Sequence, residues 1–165
     1  MPQRIVLLMM ISAALLVSAA SEPTPKFVST HAVPNNLDVE ISWKESGLWP
    51  ERVVHNVVTA EARATYVCLE PGETRAADRE NIYDLVTAEG DFTSTKTGTA
   101  SGKLTLRPPD PGMFSCPPRQ RLQLVCAMYT QLSCKDDTFG ISSGLRRTLV
   151  SFEPGYSHLC DLDLR

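Results

Sequence analysis

The sequence predicts an all-β protein, specifically an antiparallel β-sandwich of the immunoglobulin-like type, stabilised by disulfides. Segments in which apolar and polar residues alternate recur along the chain, which is the period of a strand with one buried face. Pro-Gly pairs and polar turns separate these segments, and no amphipathic helix of three turns is evident in the sequence. Five cysteines supply possible cross-links. A small closed barrel is the alternative all-β architecture.

Residues 1–20 have the pattern of a secretory signal peptide. Arg4 precedes an apolar run from Ile5 to Val17, and the small residues Ser18, Ala19 and Ala20 follow it. The run is shorter than the roughly 20 residues that a membrane-spanning helix needs. We therefore expect a secreted, extracellular protein without a membrane span.

The next segment, residues 21–36, contains three prolines and two consecutive asparagines. It has no sustained period, so we interpret it as an extended N-terminal arm. The β-sandwich domain is expected to occupy residues 37–165, a length that suits a single domain.

Within that domain the alternation is clearest near its start and in its centre. Leu37, Val39, Ile41 and Trp43 alternate with polar residues, and a similar pattern extends from Val58 to Cys68. Apolar residues at every second position would encircle a helix rather than form one stripe, so both segments are assigned as strands. The predicted strands are Leu37–Trp43, Val58–Cys68, Leu85–Thr93, Gly102–Arg107, Leu122–Tyr129, Leu145–Phe152 and Tyr156–Leu164.

Charge argues against two classes of partner. The chain has a formal net charge of −3, and removal of residues 1–20 takes away one base, Arg4, and no acid, which leaves −4. A chain of this charge without a basic block lacks the electrostatic signature of a nucleic-acid-binding protein. It also lacks the basic amphipathic helix that binds an anionic membrane surface. No cofactor-binding motif is evident, so none is predicted.

Two patterns in the sequence resemble a catalytic or a metal-binding motif but lack features that such motifs require. Gly140–Gly144 matches the G-x-S-x-G spacing of a hydrolase nucleophile, with Glu153 and His158 as possible partners, but the required strand-turn-helix context is missing. We interpret it as a loop between strands. The acids near His158 and in the turn at residues 136–137 match no metal-binding motif and are assigned to solvated surface. Those acids are Asp136, Asp137, Asp161 and Asp163. The sequence therefore predicts no catalytic residue and no metal site.

Five short motifs occur along the chain: S-W-K-E-S-G-L at Ser42–Leu48, A-T-Y-V-C at Ala64–Cys68, F-T-S-T-K-T-G at Phe92–Gly98, L-T-L-R-P-P at Leu104–Pro109 and F-S-C-P at Phe114–Pro117. In this order they resemble the motifs of small secreted proteins that are common in actinobacteria and have no assigned function. The resemblance covers roughly Val39 to Thr138, and it implies a β-sandwich with a disulfide between Cys68 and Cys116. It implies no catalytic residue.

The number of cysteines is odd, so at least one is unpaired or joined to another chain. Cys68 ends a predicted strand and Cys116 precedes another, so both lie at strand ends that a sandwich can bring together. Cys126 alternates with Leu124 and Met128 on the presumed core face. A core-facing Cys126 is expected to be the unpaired cysteine, so we predict Cys134–Cys160 as the second disulfide. The alternative for the odd cysteine is an intermolecular disulfide.

The two tryptophans have different expected roles. Trp43 ends an alternating strand and is predicted to be a core anchor. Trp49 lies in a loop between Leu48 and Pro50, where the indole either binds a sugar ring or partner protein, or folds over the end of the core.

Because no catalytic constellation can be assembled, the sequence favours a secreted, non-enzymatic binding module. The contact surface is expected in three loops at one sandwich end, namely Glu45–Glu51, Leu69–Asn81 and Asp136–Gly144, with Trp49 as the binding residue and an extracellular protein or glycan as its partner. Two alternatives remain. One is an exported hydrolase, resembling a glycosidase, whose carboxylate pair forms only on folding. The other is a structural component of an envelope or matrix.

Overall fold

Eight strands and one short 3-10 helix make up the structure of the protein, a computed structural model that describes residues 22, 24–73, 76, 78–145 and 148–160. The predicted signal peptide lies outside these residues. The strands are β1 (Lys26–Asn35), β2 (Asp38–Ser46), β3 (Val53–Leu69), β4 (Asp78–Thr93), β5 (Thr99–Leu106), β6 (Arg121–Asp136), β7 (Ile141–Leu145) and β8 (Leu149–Phe152), and the 3-10 helix is Ser157–Leu159.

The strands form two antiparallel sheets that pack face to face. One has three strands in the order β1-β2-β5, and the other has the order β4-β3-β6-β7 with β8 also paired to β6. Apolar side chains from both sheets fill the space between them, including Ile41 and Trp43 from one sheet and Val58 and Tyr129 from the other. The Tyr129 hydroxyl donates a hydrogen bond of 2.8 Å to the carbonyl oxygen of Leu37. The predicted antiparallel, two-sheet, all-β architecture is confirmed.

Two β-bulges in β6 reverse which residues face the core. The register with β3 shifts between Thr65 and Tyr66 and again between Thr59 and Glu61. A one-residue shift moves every following side chain to the other face of the sheet. Leu124 therefore lies opposite Tyr66, whereas Cys126 lies opposite Thr65 on the outer face.

This reversal overturns one of the predicted disulfides. Cys68 is bonded to Cys116, as the sequence predicted, but the second disulfide joins Cys126 to Cys160. The segment after β8 covers the outer face of the five-stranded sheet at this end, where Cys126 and Cys160 pack with Val67 and Leu69. Beyond the second bulge Cys134 faces inward, opposite Val58, and it is the free cysteine. The prediction of Cys134–Cys160 was wrong because it assumed one uninterrupted alternation along β6.

Several strand boundaries also differ from the predictions. The predicted arm contains β1, which pairs with β2 along its whole length, so the sheet begins at Lys26. β4 begins at Asp78, well before the predicted Leu85. The predicted loop Asp136–Gly144 contains most of β7, and the predicted strand Leu145–Phe152 corresponds to β8, which begins only at Leu149. The described part of the predicted last strand contains the 3-10 helix.

The described part of the chain contains no helix with the length and apolar character needed to cross a bilayer.

Candidate functional site

Three loops meet at the end of the sandwich that carries Trp49, which we call the Trp49 end. They connect β2 to β3, β4 to β5, and β6 to β7, and comprise residues 47–52, 94–98 and 137–140. Because the strands are antiparallel, these three connections emerge on the same side. Backbone hydrogen bonds join them: Leu48 donates to the carbonyl oxygen of Gly98 at 3.0 Å, and Ser94 donates to that of Arg52 at 2.8 Å.

One of the three loops expected in the contact surface lies elsewhere. The predicted loop Leu69–Asn81 includes the connection from β3 to β4 at the opposite end of the sandwich. The 17-residue strand β3 separates it from the Trp49 end, a distance of about 55 Å at roughly 3.3 Å per residue. The loops that meet at the Trp49 end are therefore the β2–β3, β4–β5 and β6–β7 loops. The β4–β5 loop is the one that the sequence did not single out.

Trp49 is half exposed, with 50% of its surface accessible, while its backbone is tightly held. The Ser94 hydroxyl donates a hydrogen bond of 2.5 Å to the carbonyl oxygen of Trp49 and accepts one of 3.0 Å from the Arg52 amide. The preceding residue, Leu48, is buried against Val54 and Ala100. The indole thus projects from a backbone that is fixed on both sides.

Gly98 allows the close approach of the β4–β5 loop to the Trp49 loop. Its φ of +69° lies in the left-handed region, and a Cβ placed there would be 2.3 Å from the Leu48 carbonyl oxygen. Any other residue at this position would push the two loops apart. The T-K-T-G sequence at residues 95–98 therefore supports the position of Trp49.

Trp43 lies in the core, as predicted. It is 3% exposed, and its ring packs edge-on against Phe92 with a centroid distance of 4.8 Å. Gly102 makes room for this pair, since a Cβ there would lie 2.6 Å from the indole of Trp43. Trp43 is therefore a core residue, whereas Trp49 is half exposed to solvent.

A buried polar cluster lies directly behind the Trp49 end. Glu45 on β2, Asn56 on β3 and Asp136 on β6 have no exposed surface. The Asn56 side-chain amide donates a hydrogen bond of 2.6 Å to Glu45 Oε1. Asp136 Oδ1 accepts backbone hydrogen bonds from Thr138 at 2.7 Å and Phe139 at 3.2 Å, so it holds the β6–β7 loop in place.

Glu45 and Asp136 form a pair of buried carboxyls that interact with each other. Burial and the charge of Asp136 raise the pKa of Glu45 to about 7, although the hydrogen bond from Asn56 lowers it. Oxygens Glu45 Oε2 and Asp136 Oδ2 have no hydrogen-bond partner among the described residues. Two ionised carboxylates can only accept hydrogen bonds, so only a protonated Glu45 could donate one to Asp136.

This pair is the carboxylate arrangement that the hydrolase alternative requires, yet it does not support catalysis. Both side chains are fully buried in the described structure. A general acid must come within hydrogen-bonding distance of its substrate, and neither carboxyl reaches the surface. The cluster lies beneath the Trp49 end and holds the β6–β7 loop through Asp136.

The sequence missed this cluster although it contained a signal for it. Glu45 continues the alternation of Val39, Ile41 and Trp43, which marks the inward face of β2. The prediction of a loop position for Glu45 and a solvated one for Asp136 was wrong, because both side chains are buried, which is unusual for charged residues.

Cys134 lies near the same cluster and is chemically inert in this state. Burial, with smaller contributions from Glu45 and Asp136, raises the pKa of its thiol to about 12. The thiol is therefore protonated at neutral pH, and it has no exposed surface. An intermolecular disulfide through this cysteine, which the sequence left possible, would require the sandwich to open.

The remaining sequence candidates do not form a catalytic or metal site in the described residues. Ser142 of the G-x-S-x-G match lies on β7 opposite Lys135, rather than on a strand-to-helix turn. His55 contacts Asp91 at 2.7 Å on the surface, and this hydrogen bond raises its pKa. No group of three or more potential metal ligands occurs in the described ranges. Asp161 and Asp163 lie outside them.

No protein-family model and no curated protein matches this chain.

Proposed function

We propose that this protein is a secreted, non-enzymatic binding module whose contact surface is the Trp49 end. The observation that carries the proposal is the half-exposed indole on a fixed backbone. A large aromatic side chain held in place loses little conformational freedom on binding, which favours affinity. Its partner is an extracellular protein or glycan, since an indole stacks on sugar rings and also anchors protein interfaces.

Export of this protein from the cell is part of the same proposal. It is supported by the signal-peptide pattern at residues 1–20. Two intramolecular disulfides are also typical of proteins that function in an oxidising compartment.

The matched pair of variants for testing this proposal is Trp49→Ala and Met113→Ala. Met113 is fully exposed in the β5–β6 connection, at the opposite end of the sandwich. Both changes remove an exposed apolar side chain, but only one alters the Trp49 end. Parent and variants are compared on a glycan array and in chemical cross-linking to extracellular proteins of the source cells.

We expect the parent and Met113→Ala to share their ligands and Trp49→Ala to lose them by at least about tenfold in affinity, as truncation of a hot-spot residue does. Equal binding by all three proteins would refute the assignment of Trp49. Loss in Met113→Ala alone would move the contact surface to the other end.

A further inference from the structure

The outer edge of β4 is the most exposed long strand edge in the described structure. β4 has 16 residues, stands at the end of its sheet, and pairs only with β3. Every one of its residues is exposed or only partly buried. Long unpaired edges bind other strands unless they are protected.

The register shows which backbone groups of β4 face outward. The pairing with β3 is continuous from Asp78 to Thr93. Just beyond it, Ser94 donates to the carbonyl oxygen of Arg52, so even-numbered residues bond toward β3. The Arg79 and Leu85 amides instead donate to the carboxylates of the preceding residues, Asp78 and Asp84, at 2.8 Å each. The odd-numbered residues from Arg79 to Asp91 therefore present their N–H and C=O groups at the free edge.

These two aspartates partly protect the edge, because each carboxylate occupies a backbone donor that another strand would need. The side chains nearby are nevertheless suited to a partner. Tyr83 and Leu85 are 69% and 64% exposed, and they border a groove of about 530 Å³ together with Arg63 and Met128. Exposed apolar side chains beside a free edge indicate an interaction surface.

We infer that two copies of this chain associate through their β4 edges, in an antiparallel register centred on Leu85. A two-fold axis requires outward-facing residues to lie opposite one another, so odd-numbered positions must pair with odd-numbered positions. A centre at Leu85 pairs β4 over nearly its whole length. The two sheets then join into one continuous sheet.

Charge complementarity selects this register. With Leu85 as the centre, Arg79 of each copy lies opposite Asp91 of the other, and no two like charges lie directly opposite. A centre at Asp84 would instead place two Asp84 carboxylates face to face, which is unfavourable.

The same register joins apolar surface. Leu85 lies opposite its own copy, with Tyr83 of each chain diagonal to the other chain's Leu85, a distance that aromatic side chains can bridge. On the other face the two Asp84 carboxylates are diagonal neighbours. Asp84 thus opposes association twice, through this repulsion and through its hydrogen bond to the Leu85 amide.

The experiment measures the oligomeric state of the purified protein by sedimentation equilibrium from micromolar to submillimolar concentration. We expect the parent to dimerise with increasing concentration and Asp84→Asn to dimerise more strongly. Thr87→Pro should be monomeric because it removes an edge donor and no bond to β3. Thr87→Ala, which keeps the backbone N–H, should still dimerise.

A charge-reversal pair tests the register itself and remains informative even if the proline variant fails to fold. Arg79→Glu and Asp91→Arg each place like charges opposite one another in their own dimers, which should weaken dimerisation by roughly 2- to 30-fold. Mixed together, the two variants form only opposite-charge pairs, so the heterodimer should recover the parent's affinity.

Two results would overturn the inference. One is a parent and an Asp84→Asn variant that both stay monomeric throughout the concentration range. The other is a mixture of Arg79→Glu and Asp91→Arg that associates no better than either variant by itself.

Discussion

Replacing Glu45 with Gln should stabilise the protein at alkaline pH, although the substitution lies in the core. The pKa of Glu45 is raised from 4.5 to about 7 by burial and by Asp136. Below pH 4.5 the carboxyl is protonated in both the folded and unfolded states. As pH rises from 4.5 to about 7 the unfolded state loses the proton first, so the stability that this group contributes is progressively lost.

The size of this loss follows from the two pKa values. One pKa unit corresponds to about 1.4 kcal/mol, so the difference between 4.5 and about 7 amounts to at most about 3 kcal/mol. Gln is uncharged at every pH. Its carbonyl oxygen can accept the hydrogen bond from Asn56, and its amide can donate to Asp136 as protonated Glu45 could. Glu45→Gln should therefore match the parent near pH 4 and exceed it by up to about 3 kcal/mol at about pH 8.

Urea denaturation followed by circular dichroism, at a series of pH values, measures this difference. The folded-state pKa of His55 is also raised, so its contribution to stability is also lost as pH rises. This contribution of His55 is the same in the parent and in Glu45→Gln. It therefore cancels when the free energy of unfolding of one protein is subtracted from that of the other. A difference that does not vary with pH, or a Glu45→Gln protein that is less stable at about pH 8, would refute the raised pKa of Glu45.

Three further predictions concern the core and the disulfides. Trp43→Ala should lower the free energy of unfolding by about 3–5 kcal/mol in thermal or chemical denaturation; a loss below about 1 kcal/mol would contradict its role as core anchor. Non-reducing peptide mapping should recover Cys126 joined to Cys160, with Cys134 alkylated only after unfolding, whereas rapid alkylation of Cys134 in the native protein would contradict its burial. Gly102→Ala should destabilise the protein by about 1–3 kcal/mol, because its Cβ would overlap the Trp43 ring; an unchanged melting temperature would show that the ring can move aside.

The fold class could be predicted because the strands with one buried face carry a clear period of two. That period identified the core of β2, where Val39, Ile41 and Trp43 are all buried. It failed in β6, where the bulge between Leu124 and Cys126 turns Cys126 and Met128 to the outer face of the sheet. A bulge depends on how two strands pair, so the sequence of one strand does not reveal it.

The candidate site was only partly predictable for a related reason. Trp49 could be chosen from its position between Leu48 and Pro50, in a loop. Its support by Ser94 and Gly98 could not be predicted, because these residues lie more than 40 positions away and meet Trp49 only through the sheet topology. The burial of Asp136 likewise depends on the partner strands that enclose it.

The same topology separated the predicted contact loops. The sequence predicted loops at an end of the sandwich for both Leu69–Asn81 and Glu45–Glu51. It does not specify which of the two ends each loop occupies. The length of β3, which runs unbroken from Val53 to Leu69, places them at opposite ends.

The central claim, that Trp49 is the binding residue, is tested most directly by ¹⁹F NMR of protein labelled with 5-fluorotryptophan. The chain contains only two tryptophans, so Trp43→Phe and Trp49→Phe assign both resonances. The labelled protein is titrated with a glycan or protein bound by the parent in the array or cross-linking comparison. The account predicts that the Trp49 resonance shifts or broadens while the Trp43 resonance stays in place. Saturable binding that leaves the Trp49 resonance unchanged would contradict it.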